Sequence, residues 1–147
     1  MKFIYNSTMV VTMAKKMKIN LTSIVDNEET ILQTEAILEK LDDTIICSYV
    51  DNRDNQHVDV KMVLTKDEAV ITRINGKDIN KSYFKKGHTY VGKQYFSDYV
   101  MNLKIETIDY MFDKMKIFIK YRTYLNDTCV GNFEHFLEFK ERENNEC

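Results

Sequence analysis

Between Met17 and Phe139 apolar residues recur at every second position in short runs. Asp, Asn and Gly punctuate those runs at Asp26-Asn27, Asp42-Asp43, Asp51 to Asn55, Lys66-Asp67, Asn75-Gly76, Lys86-Gly87 and Asn126-Asp127. A period of two puts alternate side chains on one face of an extended chain, so each run reads as a strand with a dry and a wet side. After Asp113, one side carries Met115, Ile117, Ile119, Tyr121 and Thr123, and the other Lys114, Lys116, Lys120 and Arg122; Phe118 is the lone exception. Phe133, His135, Leu137 and Phe139 oppose Asn132, Glu134, Glu138 and Lys140. Tyr99, Met101, Leu103, Ile105 and Thr107 oppose Asn102, Lys104 and Glu106, and Val58, Val60, Met62 and Leu64 oppose Asp59 and Lys61. Short strands separated by polar turns at near-regular spacing imply an all-β sandwich or barrel.

The sharpest hairpin signal is Asn75-Gly76, read as the central pair of a type I′ turn because both residues tolerate positive φ. A second tight connection falls at Asn126-Asp127. One segment breaks the pattern. Asn27 to Leu41 has a capping residue, Glu28 and Glu29 in what would be a first turn, and Ile31, Thr34, Leu38 and Leu41 at helical spacing, so local rules favour a helix there.

The 147 residues contain no Pro/Gly/Ser linker and no internal repeat, which predicts one domain. A chain of this size buries roughly 70% of its unfolded surface and needs no disulfide or metal to hold a core. Alternation is clear only from Met17, so residues 1–16 are read as an N-terminal extension, 17–140 as the barrel domain and 141–147 as a charged tail expected to fray. Met1 and Met17 are both open as the true start. Lys and Arg number 21 against 23 Asp and Glu, a formal net charge of -2, which lacks the basic footprint of non-specific nucleic-acid binding. The apolar pieces Phe3 to Tyr5 and Met9 to Val11 are too short for a secretion signal, and no stretch approaches the ~20 apolar residues of a membrane-spanning helix. Cys47, Cys129 and Cys147 are odd in number with no short spacing, and read as reduced thiols of a cytoplasmic protein.

Several segments together resemble a known family. They are Lys18-Ile19-Asn20-Leu21-Thr22-Ser23, Ile45-Ile46-Cys47-Ser48-Tyr49-Val50-Asp51, Ala69-Val70-Ile71-Thr72-Arg73, Tyr83-Phe84-Lys85-Lys86-Gly87, Leu103-Lys104-Ile105-Glu106-Thr107, and Ile119 through Gly131. Across Met17 to Glu141 the chain resembles the YwiB-like family of uncharacterised bacterial proteins, which implies a single antiparallel calycin-type, lipocalin-like barrel of about 8–10 strands. Asp51 stands where the family has Glu, and Tyr95-Phe96-Ser97-Asp98-Tyr99 replaces a Tyr-x-Thr-Pro-x-Gly stretch, as in a divergent member. The resemblance makes Asn27 to Leu41 a strand. We follow it against the local helix signal, because strand pairing can outweigh propensities of a few tenths of a kcal/mol per residue.

Tyr49 and Asp51 share parity with Ile45 and Cys47, and Arg73 shares parity with Ala69 and Ile71. If those faces line the lumen, a carboxylate and a guanidinium can meet inside it, since a buried charge must be paired. Such a pair either anchors a polar ligand head or fixes strand register. Tyr121, Phe133, Phe139 and Tyr99 fall on predicted inner faces, and their bulk argues for a filled lumen over a ligand pocket. His135, on the face of Phe133 and Leu137, is read as a hydrogen-bonded core or rim histidine. His57 and His88 give it no metal-ligand spacing. Cys47 is read as a small hydrophobe. Four glycines cannot write a phosphate-binding loop, and the basic run Lys81 to Lys86 is read as a lysine-guarded strand edge.

These readings lead to a non-enzymatic cytoplasmic barrel that binds a small apolar or amphipathic molecule. Its candidate interior residues are Tyr49, Asp51, Arg73, Tyr121 and His135. No catalytic residue, metal or cofactor is assigned, and nucleic acid and membrane are not expected as partners. Two competing classes are an enzyme using Tyr49, Asp51 and Arg73 with His135 as proton carrier, and an interaction module forming a homodimer through strand edges or the N-terminal extension.

Overall fold

The computed structural model describes residues 14–141. It has ten strands: β1 (Lys15–Val25), β2 (Glu28–Leu41), β3 (Thr44–Asp51), β4 (Val58–Leu64), β5 (Glu68–Asn75), β6 (Asp78–Lys85), β7 (Thr89–Phe96), β8 (Tyr99–Asp113), β9 (Lys116–Leu125) and β10 (Thr128–Glu141). A single 3₁₀ turn, Arg53–Asn55, joins β3 to β4. The ladder order is β6-β5-β4-β3-β2-β1-β10-β9-β8-β7, antiparallel throughout. Each strand lies beside its sequence neighbour, and β10 returns to pair with β1. The result is an up-and-down barrel with one seam, between β6 and β7. The readings for the extension, the alternative start, the tail beyond Glu141 and Cys147 fall mainly in residues 1–13 and 142–147, outside the described residues.

Side chains close the seam. The Asn80 amide stands in for a strand backbone: its Nδ2 donates to the Tyr95 carbonyl at 3.1 Å and its Oδ1 accepts from the Tyr95 N–H at 2.7 Å. Asp78 accepts from the Ser97 N–H at 2.8 Å. An edge so occupied is shielded from other chains.

The turns follow the polar punctuation. Asp26 and Asn27, Lys114 and Met115, and Asn126 and Asp127 have positive φ at both central positions, as a type I′ hairpin turn requires. The β5–β6 turn corrects the expectation by one residue. Asn75 pairs with Asp78, so the central residues are Gly76 and Lys77. Only Gly76, at φ 62, is positive, which is the sign pattern of a type II′ turn with glycine first. A turn centred on Asn75-Gly76 would slide the ladder and set Ala69 opposite Ser82, whereas the observed register sets it opposite Phe84, both buried.

Glu28 to Leu41 is a strand, as the resemblance implied and the local helix signal did not. Its eleven register partners on β1, from Lys15 to Val25, supply a ladder that propensity cannot match. Leu32, Ala36 and Leu38 are buried at strand spacing, while Ile31, part of the helical pattern, is exposed. On β8, Tyr99 corrects its predicted inward placement: it is exposed at the strand start, its ring stacked on Phe96. Farther along, Ile108 is the extra residue of a bulge between Thr107 and Asp109, which shifts the buried set from Leu103, Ile105 and Thr107 to Tyr110.

Apolar side chains pack part of the lumen, beside a hollow of about 470 Å³ that Met17, Leu38, Ile45, Met115 and Phe139 line at one end. Ile19, Cys47, Leu64 and Ala69 are fully buried there, with Ile45, Ile117 and Phe139 nearly so. Tyr110 locks the β4–β5 turn by donating its hydroxyl to the Thr65 carbonyl at 2.6 Å. Burial pushes the Cys47 thiol up to about 12, so it behaves as the predicted small hydrophobe.

Candidate functional site

Elsewhere the inward side chains leave space. A cavity of about 320 Å³ is lined by Leu21, Ser23, Tyr49, Met62, Phe84, Tyr121, Phe133 and His135, with Arg53 and Arg73 at its mouth. Four of the five interior residues expected from strand parity line it: Tyr49, Arg73, Tyr121 and His135. The fifth, Asp51, is 3% exposed and held beside it by both arginines. The expectation of a fully filled lumen is corrected. Phe84 and Phe133 pack against the Tyr121 ring at centroid distances of 4.6 and 5.0 Å and so cover the wall, while Ser23, Ser82 and Ile71 are too small to fill the space between.

Asp51 ends β3, opposite Val58. Its Oδ1 accepts from the Arg53 amide at 3.1 Å and from Arg53 Nε at 2.9 Å, and its Oδ2 accepts from Arg53 Nη2 at 2.7 Å and Arg73 Nη2 at 3.1 Å. The Arg53 guanidinium holds the Asp51 carboxyl well below the usual carboxylate range, against the upward push of burial; the Arg53 amide and Arg73 add to the effect. Two guanidinium groups share one carboxylate, so the cluster carries one net positive charge. Among the described residues the cavity lining includes no carboxylate. Arg53 and Arg73 side chains are 30% and 43% exposed, which leaves them in reach of solvent and of a second anion.

Deeper in, the His135 ring spans two hydroxyls: Nδ1 lies 2.9 Å from Ser23 Oγ, and Nε2 lies 2.6 Å from the Tyr121 hydroxyl. Strand pairing sets this up, since Ser23 faces His135 in the β1–β10 ladder. Burial pushes the imidazole down to about 4, and the charges of Arg73 and Arg53 act in the same direction. The ring is therefore neutral near pH 7. Burial raises both Tyr121 and Tyr49, so both phenols keep their protons. Tyr49 lines the cavity, and its hydroxyl is buried with no hydrogen-bond partner among the described residues.

Asp51 is locked as a counterion, His135 has both ring nitrogens engaged, and the phenols are poor acids. Leu21, Met62, Phe84 and Phe133 give the cavity an apolar wall, and Arg53, Arg73 and His135 are the few polar groups that converge on it. Arg53 was missed in the sequence because Asp51 to Asn55 read as turn punctuation. The Asp-x-Arg spacing, which lets the arginine fold back onto the carboxylate two residues earlier, is the signal that could have found it.

In overall shape the chain is similar to the crystal structure of the YwiB protein from Bacillus subtilis. The TM-score is 0.71 at 14% identity, covering 90% of this chain and 96% of that one. No family model and no curated protein matches the sequence. The likeness supports a YwiB-like fold. Among the described residues no helix is long and apolar enough to cross a membrane.

Proposed function

We propose that this barrel binds a small amphipathic molecule: an apolar body in the lumen, a single planar acid group at the arginine pair. On this reading the chain is a divergent YwiB-like, calycin-type barrel of the cytoplasm that acts by binding rather than by catalysis. One observation carries it. The cavity's mouth holds two arginines that share the single carboxylate of Asp51, and among the described residues its lining supplies no other acid to neutralise the surplus charge. A carboxylate matches the planar arginine fork and the cluster's single surplus charge. At about 320 Å³ the cavity sits at the small end of ligand sites.

Isothermal titration with phenylbutyrate and its uncharged counterpart phenylbutanol tests this reading. The acid should bind about tenfold or more tightly than the alcohol, equivalent to ~1.4 kcal/mol, and Arg73→Met should abolish that difference. Equal affinities, or no binding of either compound, would overturn it.

A further inference from the structure

The outer surface carries an apolar row unrelated to the cavity. Ile31, Thr22, Phe136, Phe118 and Met111 stand directly opposite one another across β2, β1, β10, β9 and β8, forming one line perpendicular to the strands. Ile31, Phe136 and Met111 are all exposed, and the Phe118 and Phe136 rings lie 4.7 Å apart. A groove of about 610 Å³ borders this row. Outward positions of such a strand are ordinarily polar. The outward rows on either side of this one are charged. In one, Glu134 faces Lys120; in the other, Glu138 faces Lys116. Each flanking row therefore sets an acid on β10 beside a lysine on β9.

We propose that this face docks a second copy of the chain about a two-fold axis lying between β9 and β10 and parallel to them. That rotation lays β10 over β9 of the partner, so Phe136 meets Phe118 of the partner subunit. Glu134 then meets Lys120 of the partner subunit, and Glu138 meets Lys116 of the partner subunit. Because the contact is isologous, every pair forms twice. Charge selects this axis over its alternatives. An axis along the apolar row would set Glu134 on Glu138 and Lys120 on Lys116. An axis along β10 would set Glu134 on itself. Like charges face to face are destabilising, so only the axis between β9 and β10 satisfies both flanking rows. The dimer uses the barrel wall, not the β6 and β7 edges, which Asn80 already joins.

Sedimentation velocity over a range of protein concentration reads the association. The wild-type chain should dimerise reversibly, more weakly as salt is added, and Phe136→Glu should leave it monomeric. The charge rows give a second test that does not depend on that variant folding. Glu134→Lys and Lys120→Glu should each weaken self-association at least tenfold. An equimolar mixture of the two should dimerise again, because both inter-subunit pairs become opposite in sign only in the mixed dimer. The like-charge pair inside each variant chain is unchanged by mixing, so recovery reports the interface alone. A wild-type chain that stays monomeric throughout overturns the proposal. So does a dimer that survives Phe136→Glu, or a mixture that associates no better than its components.

Discussion

Asp51→Asn is the most informative change at the arginine cluster, because it keeps the shape and removes the charge. An asparagine can still accept at one oxygen from the Arg53 amide and Nε, which now reach Oδ1 at 3.1 and 2.9 Å. The position of Oδ2 becomes an NH₂ group. It then faces two guanidinium donors that lie 2.7 and 3.1 Å from Oδ2 in the native chain. Two charge-assisted bonds are lost, nominally ~1.5 to 3 kcal/mol each. The arginines are 30% and 43% exposed, so water compensates part of that loss, and the expected net cost is about 3 kcal/mol near pH 7. Urea denaturation followed by circular dichroism should show the midpoint lowered by ~1 to 2 M with an unchanged slope. The dependence on pH supplies a second arm. A carboxyl whose folded pKa is depressed stabilises fully above its unfolded value, about 3.9, and loses that contribution as pH falls toward the folded value. The gap between wild type and variant should therefore stay constant from pH 7 to about 4 and narrow below it. A cost under ~0.5 kcal/mol, or a gap that narrows already at pH 6, would refute the ion-bridge reasoning.

Other expectations follow from neighbouring geometry. Arg73→Met should cost only about 1 kcal/mol in the same urea assay, because Arg53 keeps three of the four bonds to Asp51; a loss of ~3 kcal/mol or more would mean that Arg53 cannot hold the carboxylate alone. His135 has a folded pKa near 4 against an ordinary 6.5. The stability gained by keeping it neutral is complete above about pH 6.5 and is lost as pH falls toward 4, at up to ~1.4 kcal/mol per pH unit. Urea midpoints between pH 7.5 and 5 should fall for the wild type and much less for His135→Gln, and parallel curves would contradict the buried neutral ring. Asn80→Leu should remove both bonds that join β6 to the Tyr95 backbone, cost ~1 to 2 kcal/mol and speed hydrogen exchange at the Tyr95 amide. Unchanged exchange at that amide would show that the seam closes without Asn80.

Much of the fold was legible because burial on one face imposes a period of two, and register then follows. Met17, Ile19 and Leu21, or Ile117, Ile119 and Tyr121, could turn only one way. Parity also brought together Tyr49, Asp51, Arg73, Tyr121 and His135, since a barrel interior gathers same-face residues from strands far apart in sequence. What parity could not supply was anything set by local backbone detail. The β5–β6 turn slipped by one residue in the register that sets Ala69 opposite Phe84, and the bulge at Ile108 reset the buried face of β8. Arg53 reached the site from a 3₁₀ turn outside every strand. The helical signal in Glu28 to Leu41 lost to pairing along β1, a long-range contact that no local window contains. Phe118 stood out as a lone exception; its meaning emerged only when register placed Phe136 directly opposite.

The binding reading rests on where a small acid sits, and diffraction from crystals soaked in phenylbutyrate measures that position directly. The phenyl group is expected against Phe84 and Phe133, with the carboxylate within hydrogen-bonding distance of Arg73 or Arg53. Density for the compound on the outer groove beside Phe118 and Phe136, with the lumen unoccupied, would contradict it.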